Sequence, residues 1–170
     1  MFQALKPKAK ALFGALALLC LPLAGAQASD TILKDFSTSY TNGAYPIGQL
    51  VFTGGSFYGV TQYGVSGNGD IFKMSATGAV TILHELNNGN GDGYYPNAGM
   101  VLIGSKLYGT TLYGGPSGST GVLFSINTNG TGYTVLHGFT GYNSGNPPAS
   151  DGSYVYAGLL VASDGNLYGA

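Results

Sequence analysis

From Thr31 onward, short apolar runs alternate with clusters of Gly, Asn, Ser and Asp. After Pro46 the runs are Gln49 to Thr53, Ser56 to Gln62, Asp70 to Ser75 and Ala79 to Leu86. Each has the length of a strand. Between members of a pair stand Gly54-Gly55 and Ala76-Thr77-Gly78, where a hairpin needs residues tolerant of positive φ. No segment here spaces its apolar residues by three and four between helix caps, which excludes helical solenoids. The pattern predicts an all-β chain of antiparallel hairpins.

The pattern also repeats. Leu33-Lys34-Asp35-Phe36, Leu83-His84-Glu85-Leu86 and Leu136-His137-Gly138-Phe139 align, each followed by a proline: Pro46, Pro96 and Pro147. Then come Gln49-Leu50-Val51, Gly99-Met100-Val101 and Gly158-Leu159-Leu160-Val161, and after them Phe57-Tyr58-Gly59, Leu107-Tyr108-Gly109 and Leu167-Tyr168-Gly169. The first period is 50 residues throughout; the second is 53 at the leucines and 60 at the tyrosines, which places an insertion around Pro147 to Tyr156. Four short strands in about 50 residues is the content of one β-propeller blade. A parallel β-helix prefers shorter coils, and a β-sandwich leaves the repetition unexplained. The expectation is four-stranded antiparallel blades of a β-propeller in an open set of about three repeats, near 31–82, 83–135 and 136–170. Thr31 to Phe36 reads as the last strand of a blade without its first three. The third repeat reads as truncated at Ala170, so its sheet edge is expected to be exposed, marginally stable and prone to associate. In the recurring Tyr-Gly pair, glycine is expected to admit a neighbouring blade's backbone. The tyrosine is expected to pack in the core.

Composition adds direction. Lys6, Lys8 and Lys10 precede the apolar stretch Ala11 to Ala24, and Ala26-Gln27-Ala28 has the small-x-small form of a cleavage site. Residues 1–28 therefore read as a secretory signal peptide, too short in its apolar core for a comfortable membrane span. Cys20 falls inside that core, with Leu19 where a lipoprotein signal needs a small residue. Removing the segment leaves Lys34, Lys73 and Lys106 against seven acids, a net charge of −4, with no arginine and no cysteine. Such a surface cannot neutralise a row of phosphates, so nucleic acid is excluded as a partner. Stability must come from packing and strand pairing, without disulfides.

These landmarks resemble the GloVer-type tandem repeat of exported bacterial choice-of-anchor proteins. The likeness rests on Gly158-Leu159-Leu160-Val161, on Asp164-Gly165-Asn166-Leu167-Tyr168-Gly169, on Tyr108-Gly109-Thr110-Thr111 with Gly114-Gly115, and on Gly121-Val122-Leu123-Phe124. It covers nearly all of the chain after residue 28. The resemblance implies a propeller-like secreted or cell-surface protein, in its usual form longer and ending in an anchoring signal. It supplies no catalytic residues.

Chemistry-bearing residues are few. His84 and His137 are the only histidines and occupy the same repeat position, aligned with Lys34, which favours a structural role because a catalytic residue is normally unique. Gly-x-Ser-x-Gly, His-Glu-x-x-His and Gly-x-Gly-x-x-Gly are all absent. One loop, with Asn88, Asn90 and Asp92 at alternate positions and then Gly93, fits the first half of a calcium loop. It has one carboxylate, and Gly99 stands where a bidentate Glu belongs, so an ordinary Asn/Gly/Asp turn is the better reading. No catalytic or cofactor-binding residue is assigned. The expected function is that of an exported non-catalytic binding or scaffold module. Its expected partners are glycans or cell-surface proteins, and Tyr94-Tyr95 and Tyr142 offer uncharged aromatic loops for sugar stacking. The alternative is a fragment of a propeller enzyme acting on polysaccharide, with its catalytic groups outside these 170 residues.

Overall fold

The computed structural model describes residues 32–36, 40–89, 91–116, 120–141 and 151–169. Residues 1–28, read above as a signal peptide, and Asn90, Tyr142 and Pro147 lie outside the described residues. Apart from one 3-10 turn at Tyr40–Asn42, the described elements are all strands. No helix among the described residues is long and apolar enough to cross a membrane.

The first sheet is a four-stranded antiparallel meander of β1 (Ala44–Thr53), β2 (Ser56–Tyr63), β3 (Asp70–Ser75) and β4 (Val80–Glu85), in that spatial order. Its four strands are the four apolar runs of the sequence. β1 begins earlier than its run, and the register shifts between Ile47 and Val51, where Gly48 has φ +74°. In the second repeat the same region splits. β5 (Gly93–Tyr94) pairs with β8 (Tyr113–Gly114) as a separate ribbon, while β6 (Val101–Ile103), β7 (Lys106–Thr110), β9 (Val122–Asn127) and β10 (Thr134–Gly138) form the second four-stranded meander. Tyr94 pairs with Tyr113 as Ala44 pairs with Tyr63, so the ribbon is the counterpart of the upper half of the β1–β2 hairpin. The third repeat contributes β11 (Leu160–Val161) and β12 (Leu167–Tyr168). No closed sheet occurs among the described residues.

The central strands read as continuous apolar runs because both of their faces are covered. Tyr58, Val60 and Ile71 of the first sheet and Leu86 just after β4 join Met100, Leu107, Val122, Phe124 and Ile126 in one core. The repeats stack in the same way twice. The turn at Gly130 rides against Leu83, and the turn at Gly78 rides against the carbonyl of Leu33. The segment 32–36 thus takes beside the first sheet the place that β4 takes beside the second. It is not itself a strand, contrary to the expectation for Thr31 to Phe36, and it instead anchors by packing Phe36 on Phe72 at 5.0 Å.

The Tyr-Gly pair is explained differently from the expectation. A Cβ at Gly59 would meet the Phe72 ring at 2.6 Å, and one at Gly109 would meet the Phe124 ring at the same distance. In each case the phenyl belongs to the residue directly opposite in the antiparallel ladder. The glycine therefore admits a cross-strand aromatic ring from its own sheet, and no neighbouring backbone is involved. The paired tyrosines also diverge. Tyr58 is buried, Tyr108 half-buried and Tyr168 exposed. Tyr168 pairs with Leu160, whereas Tyr58 and Tyr108 pair with Val51 and Val101, a one-residue difference in register.

Candidate functional site

Among the described residues three other than glycine have a left-handed backbone: Tyr45 (φ 56°), Tyr95 (φ 55°) and Tyr154 (φ 52°). A bulky residue with positive φ is an outlier, and holding one there costs about 1–3 kcal/mol. All three occupy the same repeat position. Tyr45 precedes Pro46 and Tyr95 precedes Pro96, but Val155 follows Tyr154, so valine holds in the third repeat the place that the sequence alignment gave to Pro147.

The three rings belong to a ladder at one end of the sheets. Tyr45 meets Tyr63 at 5.4 Å, Tyr63 meets Tyr95 at 5.4 Å, Tyr95 meets Tyr113 at 5.9 Å and Tyr113 meets Tyr154 at 5.5 Å. Every step is edge to face, with interplanar angles of 70°, 66°, 79° and 74°. Steps within a repeat alternate with steps between repeats. Tyr40 extends the ladder beside Tyr63, and Tyr94 lies against Tyr113 at 22°. Tyr45 and Tyr154 are exposed, while Tyr63, Tyr94, Tyr95 and Tyr113 are half-buried.

The preceding repeat holds two of the three strained backbones. The Tyr95 N–H donates to the Asn68 carbonyl (2.8 Å), and the Tyr154 N–H donates to the Thr120 carbonyl (3.0 Å). Asn68 and Thr120 stand just before Gly69 (φ 101°) and Gly121 (φ 102°), whose left-handed turns lead into β3 and β9. Each turn is tied down by a buried threonine: Thr61 Oγ1 accepts from the Asp70 N–H and Thr111 Oγ1 from the Val122 N–H, both at 3.2 Å.

A second recurring feature lies at the seam between repeats. His84 Nε2 is 3.0 Å from Asp92 Oδ2, which also accepts from Asn87 Nδ2 (3.2 Å), while Asp92 Oδ1 accepts from the Gly93 N–H (2.7 Å). The Tyr133 ring stacks on His84 at 3.8 Å and 12°. Burial and the nearby Asp92 carboxylate hold the Tyr133 phenol protonated far above its ordinary range. A cleft of about 630 Å³ opens here, lined by Asn87, Asp92 and Tyr133 among others. One repeat later His137 Nε2 is 2.8 Å from Asp151 Oδ2, and Asp151 Oδ1 accepts from the Thr140 N–H and hydroxyl. Those Thr140 hydrogen bonds, with His137 adding a smaller effect, lower the Asp151 carboxyl to about 2. Asp92 and Asp151 each precede a left-handed tyrosine by three residues, so the His–Asp pairs recur in register with the ladder.

Residues 21–170 match the Gloeobacter/Verrucomicrobia repeat. The chain belongs to that family. No curated protein and no solved structure matches it.

In this Gloeobacter/Verrucomicrobia repeat protein two of the calcium-loop candidates, Asn88 and Asp92, lie among the described residues. Asn88 is exposed and Asn90 lies outside the described residues. Both Asp92 oxygens are engaged by His84, Asn87 and Gly93. No group of three His, Cys, Asp or Glu side chains among the described residues is placed to hold a metal ion. Asp70, which the sequence did not single out, is fully buried with both carboxyl oxygens unpartnered among the described residues. Its carboxyl is pushed up to about 6, first by burial and then by the charge of Glu85 opposite it in the ladder. It rests on Gly64, where a Cβ would collide with it. Asp70 does not line the clefts beside Asp92, Met100, Phe139 and Lys73.

Proposed function

We propose that this protein is an exported, non-catalytic binding module, built of propeller-like repeats, that presents the tyrosine ladder to ligands outside the cell or on its surface. One observation carries the reading. Three equivalent tyrosines are kept in a strained backbone conformation that a glycine or asparagine adopts more easily, and two of them point an exposed ring outward. Strain that recurs in every repeat is an expected mark of a surface maintained for recognition. The lysine-flanked apolar segment ending at Ala28 supports export. The His–Asp pairs support a non-catalytic reading, since each recurs with its repeat and pins the connection into the next one.

The test has two arms. Produced with its own N-terminus in a bacterial host, the chain is expected outside the cytoplasm and beginning at Ser29. The labelled mature protein is expected to bind intact bacterial cells or their extracellular matrix saturably. Retention of Met1 to Ala28 on exported material overturns the processing reading, and a folded mature chain without saturable binding overturns the module.

A further inference from the structure

We infer that the tyrosine ladder is a row of stacking subsites for a linear, uncharged polysaccharide lying across consecutive repeats, an inference that rests on the binding-module reading. The ladder takes two ring steps per repeat, so neighbouring left-handed tyrosines are separated by no more than two steps of 5.4–5.9 Å. That separation is comparable to a disaccharide. A surface that repeats with the fold engages two repeats at once only if the ligand also repeats, which selects a polymer over a compact small molecule. Binding successive subsites through one polymer multiplies modest single contacts, because each later contact is intramolecular.

The chemistry of the row fits sugar rings. A tyrosine offers an apolar face for the C–H side of a pyranose and a hydroxyl for its rim. The row offers nothing for a charged ligand. The carboxylates nearest in sequence, Asp92 and Asp151, are tied to His84 and His137. Lys73 lies over Tyr58 within the first sheet, and Lys106 begins β7 at the opposite, hairpin end. Among the described ring contacts of the ladder none involves a lysine, so the row itself offers an acidic polysaccharide no paired cation. A proline-rich peptide is the rival occupant, since it also docks on aromatic-lined grooves. It needs rings that wall a slot, whereas each ladder step is edge to face at 66–79°. The one near-parallel pair, Tyr94 and Tyr113 at 5.5 Å, is already in mutual contact.

The experiment measures binding of the mature chain to cellulose, xylan, mannan and β-1,3-glucan, with pectate as the anionic probe and a polyproline peptide as the rival. Binding to at least one neutral polymer is expected, with affinity for its oligosaccharides rising until they span two repeats. Tyr45→Asn and Tyr154→Asn suit the left-handed backbone, so the fold is retained, and each is expected to weaken binding roughly tenfold. Tyr45→Phe keeps the ring and is expected to bind within a few-fold of the native chain. Three results overturn the inference while leaving the module standing: equal binding of pectate, ladder-dependent binding of polyproline, or polysaccharide binding untouched by both Asn variants. Failure to bind any of these polymers, in a protein that still binds cells, overturns it as well.

Discussion

Asp70 sits at the start of β3, and among the described residues neither carboxyl oxygen has a well-formed hydrogen bond. Val122 stands at the corresponding place in the second repeat, so the ladder does not need an acid there. Burial raises its carboxyl from 3.8 to about 6, Glu85 adds to the rise, and the Val65 amide and His84 oppose it. Between those two values the unfolded chain releases a proton that the folded chain keeps, so rising pH favours unfolding over this window. The loss is on the order of 3 kcal/mol and is complete about one unit above pH 6. Asp70→Asn is expected to remove it. Melting curves of the two proteins should converge near pH 4 and separate in favour of the variant by several degrees at pH 7. Parallel curves across that range would show that the carboxyl is not the titrating group. The same scale marks what the sequence hid. Tyr45 and Tyr95 are visible as repeated Tyr-Pro pairs, but a residue before proline is expected in extended backbone. At Tyr95 and Tyr154 the left-handed backbone is held by the carbonyls of Asn68 and Thr120 in the preceding repeat, which no local pattern encodes.

Among the elements, glycines divide into those that make room and those that only turn. At Gly109 an added methyl would meet the Phe124 ring at 2.6 Å and Met100 at 3.0 Å, and Phe124 is fully buried. Gly109→Ala is therefore expected to cost about 1–3 kcal/mol through overpacking. Gly54→Asn, in a hairpin turn at φ 55° with nothing within 4 Å, is expected to be near neutral. Chemical denaturation of both variants checks the contrast, and equal losses would mean that the phenyl ring does not fill the space beside the glycine. Strands β1 to β4 were legible because their apolar runs and turn residues are local signals. The partner of Gly59 and Gly109 was not, because it lies across a hairpin and is set by register. The ladder was half legible: Tyr94-Tyr95 stood out as an aromatic loop, while the link from Tyr63 to Tyr95 requires the stacking of one repeat on the next.

At the scale of the whole molecule, the apolar core crosses the seam between the two four-stranded sheets, so buried residues of each sheet rest on the other. In such an array stability is the sum of repeat terms and neighbour-interface terms. The seam between the first two repeats carries the His84–Asp92 pair, with Asp92 nearly buried and His84 covered by the Tyr133 ring. Truncating His84 leaves a mostly desolvated carboxylate with only Asn87 and the Gly93 amide, and removes the surface on which Tyr133 stacks. His84→Ala is expected to cost about 2–4 kcal/mol, toward the lower end of what breaking a buried pair costs. His137→Ala acts on a pair open to solvent and is expected to cost less. The decisive readout is where the loss is felt. Because the core is shared, amides of Ile71 and Phe72 in β3 and of Phe124 and Ile126 in β9 should exchange faster together in His84→Ala. Exchange accelerating in β9 and β10 alone would show instead that the first sheet stands without its neighbour, and the ladder would then span two independently folding units.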